Sequence, residues 1–323
     1  MAVELVRDKW TCPISEVVIG ATKAEGGSRT SVIKVGGETT LPYLLNEGEM
    51  PNKPVVVMEV WDISPSEDWA DELKAVYGDV LGKPAEWAKK SVEKFGADMI
   101  ALRLQGTHPD WGDKDAKHAT ETVKSVLSTV GVPLIILGSG HDEKDNAVLP
   151  QVSQAAAGER CLIGNIKEKN YKTIVASAIA DGHNVIGESP LDINIAKQVN
   201  ILATDMGIGF ERLVMYPTNG GLGYGLEYAY SIMERSRIAG LGGDKMLAMP
   251  ILCVMSTESW RCKEAKAPEA DFPAWGDTAK RGMMWETLGT TTYLLGGADI
   301  MIMWHPEAVK IVKDTINSLM KKG

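Results

Sequence analysis

The sequence predicts a (β/α)8 barrel preceded by a β-hairpin, and three observations carry that prediction. From Val55 onward, short apolar runs alternate strictly with segments of helical period. The runs are apolar throughout, as strands buried on both faces of a parallel sheet must be. There are eight such units in roughly the 250-residue span of a closed barrel. An open doubly wound sheet is the alternative, and the unit count disfavours it.

The elements follow in order. Glu16 to Ala21 and Ser31 to Val35 are β-branched runs separated by Gly26-Gly27, which reads as a hairpin. It is expected to cover the N-terminal mouth of the barrel, which is apolar and needs closing. Leu41 to Pro54 reads as an irregular connection, so the N-terminal extension spans 1–54 and the barrel 55–323. The first buried strand is Val55 to Val60. A helix runs from Pro84 to Phe95, with proline at its start and Gly96 beyond its end. Strand Asp98–Leu104 precedes helix Asp115–Val130, where Val123, Val126, Leu127 and Val130 share a face. Strand Pro133–Leu137 precedes helix Asp142–Ala157, and strand Arg160–Gly164 precedes helix Glu168–Asp181. Strand Asn184–Gly187 leads to helix Asp192–Met206, and strand Arg212–Met215 leads through a glycine-rich turn to helix Leu226–Gly240. Strand Met249–Met255 is followed by a long connection, Ser256 to Pro273, and by helix Thr278–Leu295. Strand Asp299–Met303 and helix Pro306–Met320 complete the barrel.

Composition narrows the function. The chain has 323 residues, 44% hydrophobic and 24% charged, with a net charge of −9. An acidic chain without basic clusters disfavours nucleic acid and anionic membranes as partners. No apolar run approaches the roughly 18 residues that span a bilayer. The charged N-terminus has no signal-peptide core, so a cytoplasmic location is expected. Cys12, Cys161, Cys253 and Cys262 show no Cys-x-x-Cys spacing, which signals neither zinc nor an iron–sulfur cluster. Cys161 and Cys253 read as core residues.

Functional residues of such barrels lie at the C-terminal ends of the strands. The sixth strand ends in Tyr216-Pro217-Thr218-Asn219-Gly220-Gly221-Leu222-Gly223-Tyr224-Gly225. Its spacing is Gly-x-Gly-x-Gly, not the dinucleotide Gly-x-Gly-x-x-Gly, and no acidic residue follows at the required distance. A tight turn without a ligand is the plain reading. A turn stripped of side chains, Thr218 to Gly223, is also suited to a large flat ligand. The other strand ends offer Glu59-Val60-Trp61-Asp62, Arg103 to Thr107, Gly138-Ser139-Gly140-His141, Asn165, Glu188 to Asn194, Ser256-Thr257-Glu258 and Trp304-His305. Gly138, Gly140, Asn165, Asp192 and Asn194 are candidate ligand contacts. Asn165 and Asp192 are equally suited to capping the helices that follow. His141 and His305 stand where helices begin and read first as caps, with a catalytic base as the alternative. No acid–base pair or Ser-His-Asp set stands out, so catalysis by this chain alone is not expected.

Several strings resemble one family. They are SPLDINIAKQVNI (189–201), GGLGYGLEY (220–228), SIMERSR (231–237), GDKM (243–246), GATK (20–23), WRCKEAKAP (260–268) and HPEAV (305–309). Together, over essentially the whole chain, they resemble the small subunit of the corrinoid iron–sulfur protein. The same family is called the delta subunit of the acetyl-CoA decarbonylase/synthase complex. The resemblance implies a (β/α)8 barrel paired with a larger subunit that carries a [4Fe–4S] cluster. It implies a corrinoid (cobalamin) shared between the two, with a methyl group received from methyltetrahydrofolate through a methyltransferase and passed to acetyl-CoA synthase. It gives no residue-level list of corrinoid contacts. Asp181-Gly182-His183-Asn184-Val185-Ile186-Gly187 is near the Asp-x-His-x-x-Gly corrinoid signature, but its glycine is one residue late and His183 precedes a strand. It reads as a helix-to-strand turn at the far end of the barrel. The competing function is a pterin-binding methyltransferase or dihydropteroate synthase-like enzyme, with Asn165, Asp192 and Asn194 holding the pterin. Trp61, Trp111 and Trp260 are candidate interface anchors or core residues.

Overall fold

The computed structural model describes residues 7–65, 69–218 and 225–321. A short antiparallel hairpin, β1 (Val17–Ile19) with β2 (Ile33–Val35), precedes the barrel. The eight parallel strands are β3 (Val55–Trp61), β4 (Met99–Arg103), β5 (Leu134–Leu137), β6 (Leu162–Ile166), β7 (Asn184–Glu188), β8 (Leu213–Tyr216), β9 (Leu252–Val254) and β10 (Ile300–Met303). Each pairs with its sequence neighbour, and β10 returns to pair with β3. The last gap, between β8 and β9, closes through a bridge of Met215 to Ile251 and the Met215 N–H donating to the Pro250 carbonyl at 2.8 Å. The sheet is therefore a cylinder.

The helices are α1 (Asp71–Tyr77), α2 (Pro84–Glu93), α3 (Ala116–Thr129), α4 (Asp142–Ala155), α5 (Tyr171–Asp181), α6 (Ile193–Asp205), α7 (Leu226–Leu241), α8 (Met255–Arg261), α9 (Lys263–Lys266), α10 (Thr278–Gly296) and α11 (Pro306–Leu319). Side chains alternate along each strand, which makes two cores. Val56, Met58, Ile100 and Ile136 face outward onto the helices. Val57, Ala101, Ile135, Val214 and Ile302 fill the cylinder. The hairpin closes its N-terminal end as expected, with Val17, Ile19 and Val35 joining the interior cluster. Asn184 Nδ2 donates to the Val18 carbonyl at 2.8 Å and the Gly20 N–H to the Arg160 carbonyl at 2.9 Å. Beside it, buried Arg237 bonds the Gly297 carbonyl and the Asp299 carboxylate and lies 3.6 Å from Glu38, tying the extension to α7 and β10. Burial, with Asp299 nearby, pushes the Glu38 carboxyl up to about 8.

Four details depart from the sequence reading. The connection after β9 is helical in part, as α8 and α9, and β9 is shorter than Met249–Met255 because Met255 already belongs to α8. An additional helix, α1, lies between β3 and α2. Helix α5 begins at Tyr171, not Glu168, because the Asn170 side chain accepts from the Lys167 N–H at 2.6 Å and holds that segment as a turn. Trp61 and Trp260 are not exposed anchors: they are 4% and 1% accessible. Trp61 packs edge-on against Trp69, Trp111 and Trp304, with Trp111 partly buried in the same cluster.

Candidate functional site

The C-terminal ends of the strands surround a polar cavity of about 350 Å³. Its floor is a buried ion pair. Glu59, on β3, contacts the Arg103 guanidinium from β4 and the Ser256 hydroxyl, and accepts from Trp61 Nε1 at 3.1 Å. Glu59 is wholly buried, so these donors are what make its charge tolerable there. One wall is a second set. Asn165 Nδ2, on β6, donates to Glu188 Oε2 on β7 at 2.6 Å. Lys167 lies 3.8 Å from Glu188 and bonds Asp142 at 3.0 Å. Burial opposes the Lys167 charge, but Glu188 and Asp142 outweigh it and hold the ammonium above its usual range. Asn165 Oδ1 is buried and has no hydrogen-bond partner. It is an acceptor lining the cavity without a donor, which a ligand N–H would supply. Glu258 and Arg261, from α8, line the same cavity.

The expected site residues separate into groups. Asn165 and Gly140 line the cavity. Gly138 stands behind it, and its role is spacing. A Cβ there would lie 2.4 Å from the Asp145 carboxyl carbon. Asp145 accepts from the Ser139 N–H at 2.8 Å and the Gly140 N–H at 3.0 Å, so it shapes the β5–α4 turn from beneath. Asp192 caps α6, accepting from the Asn194 and Ile195 N–H groups at 2.7 and 3.2 Å. Asn194 is exposed on the first turn of that helix. Neither of these two lines the cavity. Of the glycine turn, Thr218 is described, with a left-handed φ of 40°. Such a backbone is uncommon for a β-branched residue. Asn219, Gly220, Gly221, Leu222 and Gly223 lie outside the described residues.

His141, His305 and His183 take structural places. Nδ1 of His141 accepts from the Lys144 N–H, and Nδ1 of His305 from the Glu307 N–H, each capping a helix. His183 is buried at the opposite end, where Nδ1 accepts from the Cys161 N–H at 3.1 Å and Nε2 meets the Ser153 carbonyl at 2.9 Å. Nε2 therefore carries the proton. Behind the mouth, Glu286 on α10 accepts from the N–H groups of Trp304 and His305 and from Trp260 Nε1, at 2.6, 3.0 and 3.1 Å. Its burial pushes the carboxyl up to about 7. Cys161 and Cys253 are buried, and burial pushes the Cys161 thiol up to about 12. Among the described residues, no group of three or more His, Cys, Asp or Glu side chains is placed to hold a metal ion.

Arg103, Glu188 and Glu258 stand among the strand ends read from the sequence without being singled out as ligand contacts, and Lys167 is not among them. A usable signal existed for two of them, because a charge at the last position of an otherwise apolar barrel strand marks the rim, as at Arg103 and Glu188. Lys167 and Glu258 carried no such mark.

Fold and mouth together define a closed (β/α)8 barrel with a polar cavity at the C-terminal ends of its strands. Solved structures of similar fold include a dihydropteroate synthase from Xanthomonas albilineans, at 12% identity and a TM-score of 0.57, covering 87% of this chain and 99% of the other. A Yersinia pestis dihydropteroate synthase aligns at 18% identity and a TM-score of 0.54, covering 82% and 95%. At that identity the likeness is of fold alone. The chain belongs to the CO dehydrogenase/acetyl-CoA synthase delta subunit family, whose model matches residues 16–316. It is 39% identical to acetyl-CoA decarbonylase/synthase complex subunit delta 1 of Methanosarcina thermophila, over 96% of this chain and 72% of that one. It is 37% identical to the delta subunit of Archaeoglobus fulgidus, over 98% and 70%.

Proposed function

We propose that this chain is the small subunit of a corrinoid iron–sulfur methyl carrier in the acetyl-CoA pathway. Membership of the delta-subunit family carries the reading. The partner is a larger subunit that holds the [4Fe–4S] cluster and shares the corrinoid with this barrel. The methyl group comes from methyltetrahydrofolate through a methyltransferase and leaves to acetyl-CoA synthase. When bound, the corrinoid supplies the methyl-transfer chemistry through its cobalt. The barrel's own work is to bind, orient and exclude water.

The mouth fits that work. Small-molecule sites span about 300–1,000 Å³. At about 350 Å³, this one has room for a ligand's polar substituent but not for a macrocycle. The unpartnered Asn165 Oδ1 and the Glu188 carboxylate accept from amide N–H groups, and Lys167 and Arg103 present donors for amide oxygens. The turn Thr218 to Gly223, which follows β8 in sequence, is the proposed cofactor-facing segment, because its glycines bring no side chains against a ring edge. The pterin reading rests on fold likeness alone and is the second choice.

The test measures bound corrinoid and thermal unfolding on the same sample of heterodimer. Asn165→Leu removes the mouth acceptor, and Gly221→Val adds a branched side chain to the glycine-rich turn. Both are expected to release corrinoid at least tenfold faster while the barrel melts normally. Unchanged retention in both, with an intact fold, would sink the cofactor-facing mouth.

A further inference from the structure

Glu38, in the N-terminal extension, is a carboxyl group with no place for its charge. It is 3% exposed, and Asp299 and Arg237, which face it, are 3% and 2% exposed. Two carboxyls and one guanidinium are thus shut in together. The guanidinium is spent on Asp299 and its surroundings. Nε and Nη2 of Arg237 donate to the Gly297 carbonyl at 3.1 and 2.6 Å, and Nη2 also contacts the Asp299 carboxylate. Asp299 Oδ2 takes a second donor, the Ile251 N–H, at 2.7 Å. Nη1 of Arg237 stops 3.6 Å from Glu38 Oε2, and both Glu38 oxygens are buried without a hydrogen-bond donor.

Fully ionised, this cluster would hold one buried negative charge in excess, next to Asp299. A carboxyl beside another carboxylate in a dry site keeps its proton. The cavity that Glu38, Arg237 and Asp299 line is about 10 Å³, room for one water at most, so a hydrated counter-ion does not fit. As an acid, Glu38 has what its carboxylate lacks: the O–H meets the Asp299 side chain. Burial, with the Asp299 charge beside it, holds the carboxyl up at about 8. The Tyr43 hydroxyl also faces the cluster, and burial pushes it up, so it stays neutral.

What this cluster holds is the connection from Gly36 to Pro54, which contains no helix or strand. None of its leucine, methionine or tyrosine side chains is fully buried. The hairpin before it has its own anchors: Val17, Ile19 and Val35 in the interior cluster, and Arg29, which bonds Glu159 at 2.8 Å. Glu38 ties the connection to α7 and to the start of β10, at the barrel end opposite the mouth. Segments with few buried apolar contacts open locally, at lower cost than the closed sheet. We propose that Glu38 and Asp299 share one proton in the folded chain, and that losing this proton unlatches residues 36–54 while the barrel stays closed. The latch lies away from the mouth and does not rest on the function proposed above. Glu38 has its ordinary value of 4.5 once exposed and about 8 when latched, so the closed state binds the proton more tightly. Its contribution is complete below about pH 4.5 and is lost as pH rises through about 8. Between those values the opening equilibrium rises about tenfold per pH unit.

Hydrogen exchange of the full chain tests this, read as protection relative to the unfolded rate. The reporters are the N–H groups of Ile14, Gly37 and Thr39, which donate to the carbonyls of Glu38, Ile14 and Glu49 at 2.9, 3.1 and 3.0 Å. Leu104 and Gly138, which donate to the carbonyls of Leu137 and Gly164, report on the barrel. The extension reporters should be less protected than the barrel amides, and their protection should fall about 100-fold from pH 5.5 to 7.5. In Glu38→Gln the side chain keeps a donor towards Asp299 but has no proton to lose, so protection should stay within about twofold over that range. The infrared carbonyl band of a protonated carboxyl, present in wild type at pH 6, should weaken in the same variant. Equal protection in extension and barrel, a wild-type slope retained by Glu38→Gln, or no band that the substitution removes would each overturn the proposal. So would a glutamine variant that does not fold, because a shared proton makes a neutral side chain sufficient at this position.

Discussion

His183 shows how one residue's neighbours decide between two chemistries. Its sequence context is near a corrinoid signature, yet both ring nitrogens are spent on the backbone of Cys161 and Ser153. Burial lowers its pKa below the ordinary value, so the folded chain holds it neutral. Its contribution to stability is full above the unfolded value of about 6.5 and is lost as pH falls from there towards the folded value. His183→Ala leaves a buried N–H without an acceptor and should cost about 2–3 kcal/mol. Thermal melts at pH 7.5 and 5.5 check this: the gap between wild type and variant should narrow at the lower pH. Corrinoid retention in the heterodimer should not change, and its loss would show that His183 serves the cofactor after all. Gly138→Ala is a second residue-scale case. The added Cβ collides with the Asp145 carboxyl that pins the β5–α4 turn. Overpacking of this kind costs about 1–3 kcal/mol, read as a lower denaturant midpoint at unchanged slope.

At the scale of elements, Glu286 joins three of them. From α10 it receives the N–H groups that start the β10–α11 corner and the indole of Trp260 on α8. A carboxylate accepts at both oxygens, whereas a glutamine turns an NH2 towards a donor. Glu286→Gln should therefore destabilise the barrel by about 1–3 kcal/mol. The pH dependence has a definite sign. The folded value of about 7 lies above the ordinary 4.5, so the native chain binds the proton more tightly than the unfolded one. This group's contribution is complete below about pH 4.5 and is lost as pH rises through about 7. Urea melts across that window should show a smaller fall in stability for the glutamine variant than for wild type. Parallel slopes would mean that Glu286 stays ionised throughout.

For the whole molecule, the carrier reading makes a claim about ownership. The isolated chain should contain no iron–sulfur cluster and little or no corrinoid, because its cysteines are scattered and Cys161 and Cys253 are buried. Mixed with the large subunit it should sediment as a one-to-one heterodimer carrying both. Iron analysis and a visible spectrum decide the first point: stoichiometric iron, or a corrinoid band in the isolated chain, would refute it. No helix among the described residues is long and apolar enough to cross a membrane.

The sequence alone determined the architecture. Strands buried on both faces must be apolar throughout, and helices that cover them must carry a 3.6-residue stripe, so the alternation shows in local composition. Caps were legible for the same reason: Asp192, His141 and His305 bond N–H groups two or three residues away. The family resemblance was legible too, carried by strings spread along the whole chain. The site was not. Arg103 meets Glu59 across 44 positions, and Asn165 meets Glu188 across 23, pairings that exist only because the cylinder sets successive strands side by side. Trp61 and Trp260 read as possible surface anchors because nothing local says that other rings or Glu286 will enclose them. Local chemistry fixes what lies within a turn of chain, whereas burial and pairing across the barrel are properties of the closed sheet.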